Sequence, residues 1–328
     1  MIDPFGALLK QDYKSLNMYL EHGNVNIIDK HKKTLLHYAI KLHSNEAVQI
    51  LLRAYADVDI PDGKGYTSYH YAVLHNRLNY LRVFMNTEGN PMTKNYLGQT
   101  PLYLACKSGK EAMIDLFLEK YKLDMGEKDK NEETICLALV QSKNPALLKK
   151  YGGYEPWLEE PNYLGNTPLI LAVHRNAVSM VSFLLEHPIF VNKKNHIGET
   201  ALFYAVRNKN YEVIDLLMQK GAFLDFKNQY SETIYDFIDS EDLKEYILSR
   251  SILYKLDSYK KKYPLHYAIY LNDSKMMQRY MTLRCLSIID PFGYTPTDLA
   301  NLYQNTIALE QLKELKRQAK IRTVETKL

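Results

Sequence analysis

Few residues in this chain have the type and spacing to do chemistry. Histidine is the side chain best suited to exchange protons or bind metal near neutral pH. Three of the ten histidines, His37, His70 and His266, share one setting, each followed by Tyr-Ala. No HExxH and no paired CxxC accompanies them, so no zinc site is expected. The three cysteines, Cys106, Cys136 and Cys285, lie 30 and 149 residues apart. That spacing gives no disulfide framework and predicts reduced thiols in a cytosol-like compartment. Ser108-Gly109-Lys110 lacks the upstream Gly of a phosphate loop and is followed by Glu111. Asp3-Pro4-Phe5-Gly6 is echoed by Asp290-Pro291-Phe292-Gly293, but neither reads as a kinase metal loop. No catalytic residue, metal or cofactor is therefore expected.

The elements that carry these residues follow from composition and periodicity. Of 328 residues 46% are apolar and 24% charged, enough to bury a core and too little charge for disorder. The formal charge is +4. Residues 311–328 hold six Lys/Arg and two Asp/Glu, so residues 1–310 sum to zero. A neutral body argues against a broad nucleic-acid footprint. No run of ~18 apolar residues exists to span a membrane. Met1-Ile2-Asp3-Pro4-Phe5 shows no secretory signal, and the expected compartment is the cytoplasm.

Length alone suggests about two domains, but the sequence repeats itself. Thr34-Leu35-Leu36-His37-Tyr38-Ala39 returns from Thr67, Thr100, Thr134, Thr167, Thr200, Thr233, Tyr263 and Thr295, at spacings of 33, 33, 34, 33, 33, 33, 30 and 32. Asp or Asn stands five residues before most of these positions, as Asp29, Asp62, Asn95, Asp129, Asn162, Asn195, Asn228 and Asp290. Gly often stands two before, as Gly65, Gly98, Gly165, Gly198 and Gly293. This is turn chemistry. The Thr then caps a first helix. Apolar residues at +13, +14, +17 and +18, such as Met180, Val181, Leu184 and Leu185, mark one face of a second helix.

The pattern resembles the ankyrin repeat, with its T-P-L-H-x-A signature. The resemblance covers almost the whole chain. It implies an all-α solenoid of nine to ten stacked helix-turn-helix units with hairpin-like turns, each unit sharing its core with its neighbours. It also implies that His37, His70 and His266 bond neighbouring backbone and are structural. Cys106 and Cys136 fall on inward positions of first helices.

Two units depart from the pattern. Unit four ends at Gly152-Gly153 and continues as Tyr154-Glu155-Pro156-Trp157-Leu158-Glu159-Glu160-Pro161, with the only Trp of the chain. Unit seven has a first helix cut short after Thr233 and a fresh cap at Asp239-Ser240-Glu241-Asp242. A kink there would separate a main array, 1–233, from a block at 234–328 that is otherwise continuous with it and ends in a basic capping helix. The usual Gly at +9 survives only as Gly109. His43, Asn76, Lys143, Asn176, Lys209 and Asn272 replace it.

The resemblance places binding on the hairpin tips, at −4, −3 and −1 from the Thr, and at +7 and +8 of the first helices. The candidates are Tyr96, Leu97, Gln99, Tyr163, Leu164, Asn166, Ile197 and Tyr230 at tips, and Lys107, His174, Arg175 and Arg207 on helices. Trp157 is added as the odd aromatic of unit four. Together they predict an aromatic ridge over a polar, partly basic floor. The expected function is a non-catalytic, monomeric scaffold for a protein partner, with no nucleic acid bound and no membrane insertion. One narrower form is a bacterial effector acting in a host cytosol. The others are an antitoxin-like inhibitor and, in a different class, an enzyme hidden in the irregular units, which would show a deep pocket with a perturbed acid or His.

Overall fold

Each repeat starts where a threonine hydroxyl satisfies an orphan amide at a helix N-terminus. Thr100 accepts from the Tyr103 amide at 3.2 Å, and Thr134 and Thr167 accept from Leu137 and Ile170 at 3.2 and 3.3 Å. A computed structural model of the chain describes residues 2–122, 124–152, 157–253, 256–290, 294–302 and 304–325. The described residues form helices, turns and loops. Their only β pairing is two isolated bridges, Ile28 with Thr34 and Lys128 with Thr134. The chain divides into two compact units, Met1–Tyr163 and Leu164–Leu328.

The first unit holds five helix pairs: α1 (Pro4–Leu9) with α2 (Tyr13–Leu20), α3 (Leu35–Leu42) with α4 (Asn45–Arg53), α5 (Ser68–Leu74) with α6 (Leu78–Phe84), α7 (Pro101–Lys107) with α8 (Glu111–Leu118), and α9 (Ile135–Gln141) with α10 (Pro145–Tyr151). First helices pack in sequence, α1 on α3, α3 on α5, α5 on α7 and α7 on α9. Their inward residues close the core: Leu35, Ala39, Tyr69, Ala72, Leu102, Ala105, Cys106, Ile135 and Cys136 are all buried. The last pair stops at Gly152, as expected. Gly153 to Pro156 lie outside the described residues, and Trp157 begins a short 3₁₀ turn ending at Glu159.

The second unit begins in the same way, with α11 (Pro168–His174) and α12 (Val178–Leu185), then α13 (Ala201–Arg207) and α14 (Tyr211–Gln219). The pattern then changes. The first helix after Thr233 is a single 3₁₀ turn, Ile234–Phe237. The Ser240 hydroxyl accepts from the Leu243 amide at 3.3 Å and starts α15 (Glu241–Leu253). Both features agree with the sequence reading of unit seven. The 233/234 position falls inside this second unit.

Next comes α16 (Leu256–Lys262), which occupies the stretch where a hairpin tip would precede Tyr263. No Asp or Asn stands five residues before Tyr263 and no Gly two before it, so this stretch lacks turn chemistry. The unit closes with α17 (Pro264–Leu271), α18 (Ser274–Tyr280), α19 (Pro296–Leu302) and α20 (Thr306–Glu325). An aromatic cluster seats this block. The Phe223 ring lies 5.2, 5.3 and 5.0 Å from those of Tyr259, Tyr267 and Tyr270, and Phe190 lies 4.5 Å from Tyr294. Phe190 and Phe223 sit on the loops that follow α12 and α14, so α17 and its neighbours rest on those loops. The echo Pro291-Phe292-Gly293 lies outside the described residues.

The +9 replacements have a clear backbone cost. His43, Asn76, Lys143, Asn176, Lys209 and Asn272 all take left-handed backbone, with φ of 58, 57, 61, 53, 52 and 54°. Asn tolerates this region better than His or Lys does.

Candidate functional site

The hairpin tips are built by their acidic or amide residue. Asp29 Oδ1 accepts the His31 and Lys33 amides at 2.8 Å each, and its own amide donates to the Lys33 carbonyl at 3.0 Å. Asp62, Asn95, Asp129, Asn195 and Asn228 close their loops in the same way, each donating its amide to the carbonyl four residues on. Neighbouring tips are also bonded to each other. Within the first unit the Tyr96 amide donates to Lys64 O (3.1 Å), Lys130 to Leu97 O (2.8 Å) and Tyr163 to Asn131 O (3.1 Å). Within the second, His196 donates to Leu164 O (3.0 Å) and Gln229 to Ile197 O (2.8 Å). The approach is close: a Cβ on Gly65, where φ is +83°, would sit 2.7 Å from the Tyr96 amide nitrogen.

This ladder satisfies the tip backbones and leaves selected side chains in solvent. Tyr96, Leu97 and Tyr163 are 54, 47 and 50% exposed in the first unit, and Leu164 and Tyr230 are 46 and 67% exposed in the second. Ile197 is half-buried, and His174 is exposed with its ring 5.2 Å from that of Tyr204. Arg175 is exposed at the end of α11.

Several expected partner residues turn out to brace the repeats. Gln99 is buried; its Nε2 donates to Asp129 Oδ2 at 2.9 Å. The reason is geometric: the −1 residue supplies the carbonyl that closes the hairpin, so it stands at the base of the tip. Glu199, also at −1, is buried and holds the Arg207 guanidinium through both oxygens, one at 2.7 Å. The same guanidinium lies 4.0 Å above the Phe237 ring. Lys107 pairs with Glu133 at 3.3 Å, and Asn166 accepts from Asn195 Nδ2 at 2.9 Å. Trp157 is half-buried, with its ring against the Gly126 backbone. Gln99 is thus withdrawn from the expected free surface, while Lys107, Asn166, Arg207 and Trp157 keep exposed area beside their contacts within the fold.

His37 and His70 serve the helix caps, and His266 bonds neighbouring backbone. His37 Nδ1 accepts from the Thr34 amide at 3.0 Å and His70 Nδ1 from the Thr67 amide at 3.1 Å. His70 Nε2 and His266 Nε2 each reach the carbonyl at −1 of the next tip, Gln99 and Tyr294, at 2.9 Å. Burial pulls His37 and His70 down to about 4 and lowers His266 as well. Asp236 and Asp298 do the same work, accepting from the Thr233 and Thr295 amides at 2.6 and 3.0 Å. Cys106 and Cys136 are fully buried, and burial pushes both thiols up to about 12, away from the reactive thiolate.

Two concavities were not foreseen. In the second unit a cavity of about 310 Å³ is bounded by Pro188, Phe190, Asn192, Lys220, Tyr270 and Tyr294, and no carboxylate lines it. In the first unit a wider concavity of about 820 Å³ is lined by Lys30, Lys32, Lys33, Lys41 and Lys64. A local signal existed for it: Lys30-His31-Lys32-Lys33 is a run of four without an acid. The whole-chain charge sum conceals it.

Comparison with known proteins fits this architecture. A family model described as ankyrin repeats (3 copies) matches residues 6–95, 55–134 and 135–228. Human inversin is 28% identical over 104 residues, covering 30% of this chain and 10% of inversin. The chain thus spans about a tenth of that relative's length. A putative ankyrin repeat protein of Rickettsia bellii is 33% identical over 89 residues, covering 26% of this chain and 49% of that protein. The solved ankyrin repeat domain of human ASB11 superposes with a TM-score of 0.55 at 24% identity, covering 66% of this chain and 98% of the other. The fold is thus an all-α ankyrin solenoid. Among the described residues no helix is long and apolar enough to cross a membrane.

Proposed function

This chain belongs to the ankyrin-repeat family, and from that premise we propose that it is a non-catalytic scaffold that holds a protein partner on its hairpin tips. The observation that carries the reading is the exposed apolar set at the tips: Tyr96, Leu97 and Tyr163 in one unit, Leu164 and Tyr230 in the other. Their backbones are held by bonds within and between tips, and about half or more of each side chain stands in solvent, the Tyr96 ring resting on Gly65. Tyrosine is a preferred anchor at interfaces, because it buries a large rigid face and keeps a hydroxyl for hydrogen bonding. A tip whose backbone is fixed before binding adds little ordering cost.

The test is affinity capture with two baits, the native chain and one with Tyr96, Leu97, Tyr163, Leu164 and Tyr230 replaced by Ala. A protein held by the first and lost by the second, with equal circular dichroism, supports the reading. Equal capture by both removes the tips from the account. A narrower reading is an effector acting on a host protein. It predicts that the captured protein comes from host lysate.

A further inference from the structure

The basic concavity of the first unit lies between two hairpin tips and the ends of two first helices. Lys30, Lys32 and Lys33 come from the tip that Asp29 closes, and Lys64 from the tip that Asp62 closes. Lys41 stands at the end of α3, with Leu74 and His75 at the end of α5. Lys30, Lys32, Lys41 and Lys64 are exposed, while Lys33 is half-buried, its ammonium 5.9 and 5.8 Å from the Tyr38 and Tyr71 ring centres.

These charges are not cancelled within the described residues. Among the described residues no carboxylate lies within 4.0 Å of any of the five ammonium groups. The one acid in the lining, Asp62, is buried and turned toward the backbone. Its Oδ1 accepts the Lys64 and Tyr66 amides at 2.8 and 3.0 Å, and its Oδ2 accepts the Tyr71 hydroxyl at 2.9 Å. Burial lowers His75 most, and the nearby cations Arg77, Lys41, Lys110 and Lys33 lower it further. Five lysines and one buried acid, Asp62, line the cup, so its net charge is positive and an anionic occupant is favoured.

We propose that this concavity is the docking site for an acidic stretch of a protein partner, whose carboxylates lie among Lys32, Lys41 and Lys64 and whose apolar side chain rests on Leu74. The proposal rests on the scaffold reading and names the partner chemistry at the tips that adjoin the aromatic ones, where Lys64 O accepts the Tyr96 amide. Two features favour a peptide over nucleic acid. Residues 1–310 are neutral in sum, so the positive field is a local cup and not the long stripe a phosphate backbone follows. The cup also offers apolar surface, with Leu74 45% exposed and Tyr66 half-buried.

The test is fluorescence anisotropy with the full chain and three labelled probes: a Glu/Asp-rich peptide of about twelve residues with one central Leu, its Gln/Asn counterpart, and an oligouridylate of similar charge. The expected result is saturable binding of the acidic peptide, weakened by salt, and no binding of the amide peptide. Lys32→Glu, Lys41→Glu and Lys64→Glu together should weaken it by roughly tenfold or more. The pair Lys41→Gln and Lys64→Gln gives a milder second variant and should cause a smaller loss with an unchanged melting curve. Equal binding of acidic and amide peptides, absence of acidic-peptide binding, or equal binding by native and lysine variants overturns the proposal. Tighter binding of the oligouridylate, lost with the same lysines, overturns it in favour of nucleic acid. If the acidic peptide fails while the tip variant still loses its captured partner, the groove proposal falls and the scaffold reading stands.

Discussion

The two units start from the same repeat and differ in what fills the end of the array. In the first, every helix pair after the truncated start is preceded by a hairpin tip, and the basic cup lies between two such tips. In the second, two regular pairs give way to a 3₁₀ turn, a long α15 and an α16 that takes the place of a tip. Aromatic packing does there what the tip ladder does elsewhere: Phe223 meets three tyrosines. The difference shows that the repeat tolerates loss of its turn chemistry when another contact seats the next helix pair. A regular stack leaves side chains free for binding, whereas the irregular block uses its aromatics internally.

The largest expected effect separates these two modes of support. Phe223→Ala should destabilise the second unit by roughly 3–5 kcal/mol, as for other buried Phe truncations. Hydrogen exchange should quicken in residues 256–302, with amides of α3 to α8 unchanged. Uniform quickening along the chain would show that the block is not a separate cooperative element.

Acid should next act on the buried histidines, His37 and His70 in the first unit and His266 in the second. His37 and His70 titrate near 4 in the folded chain, below their unfolded value, so the unfolded chain binds more protons between pH 6.5 and 4. Stability therefore falls as pH drops through that window, on the order of 3 kcal/mol per histidine at its lower end. Asp236 and Asp298 have lowered values, so their stabilising contribution is lost only as pH falls below the unfolded value near 3.8. Urea midpoints followed by amides of the first unit should decline from pH 6.5 to 4. A flat profile would remove the buried-cap account.

A smaller effect should be common to both units. His43→Gly, Lys143→Gly and Lys209→Gly relieve left-handed strain and should each stabilise by roughly 1 kcal/mol. Asn76→Gly and Asn176→Gly should change little. Equal gains at all five positions would contradict the assignment of strain to the bulkier side chains. Smallest of all, Tyr96→Ala and Tyr230→Ala should shift stability by less than about 0.5 kcal/mol, since both rings stand largely in solvent.

Much of this was legible in the residues. The spacing of the Thr positions and the Asx residues five before them fixed the helix pairs and the tips, because capping and turn chemistry act within a few residues. Exposure of Tyr96, Leu97 and Tyr230 followed from their place at −4 and −3. The −1 side chains did not read correctly: Gln99 and Glu199 bond a neighbouring repeat, a contact some thirty residues away in sequence. The role of Phe223 was hidden for the same reason. The basic cup was visible as Lys30-His31-Lys32-Lys33 and was lost in a charge sum taken over the whole chain.

The central claim is that the tips carry the partner, and site-specific photo-cross-linking tests it most directly. A benzophenone amino acid would replace Tyr96 or Tyr230 at tips, or Tyr55, which follows the second helix of its repeat and is 90% exposed. Each chain would be irradiated in lysate. The account predicts a specific covalent adduct from position 96, from 230 or from both, and none from 55. Adducts from 55 alone would place the partner elsewhere and contradict it.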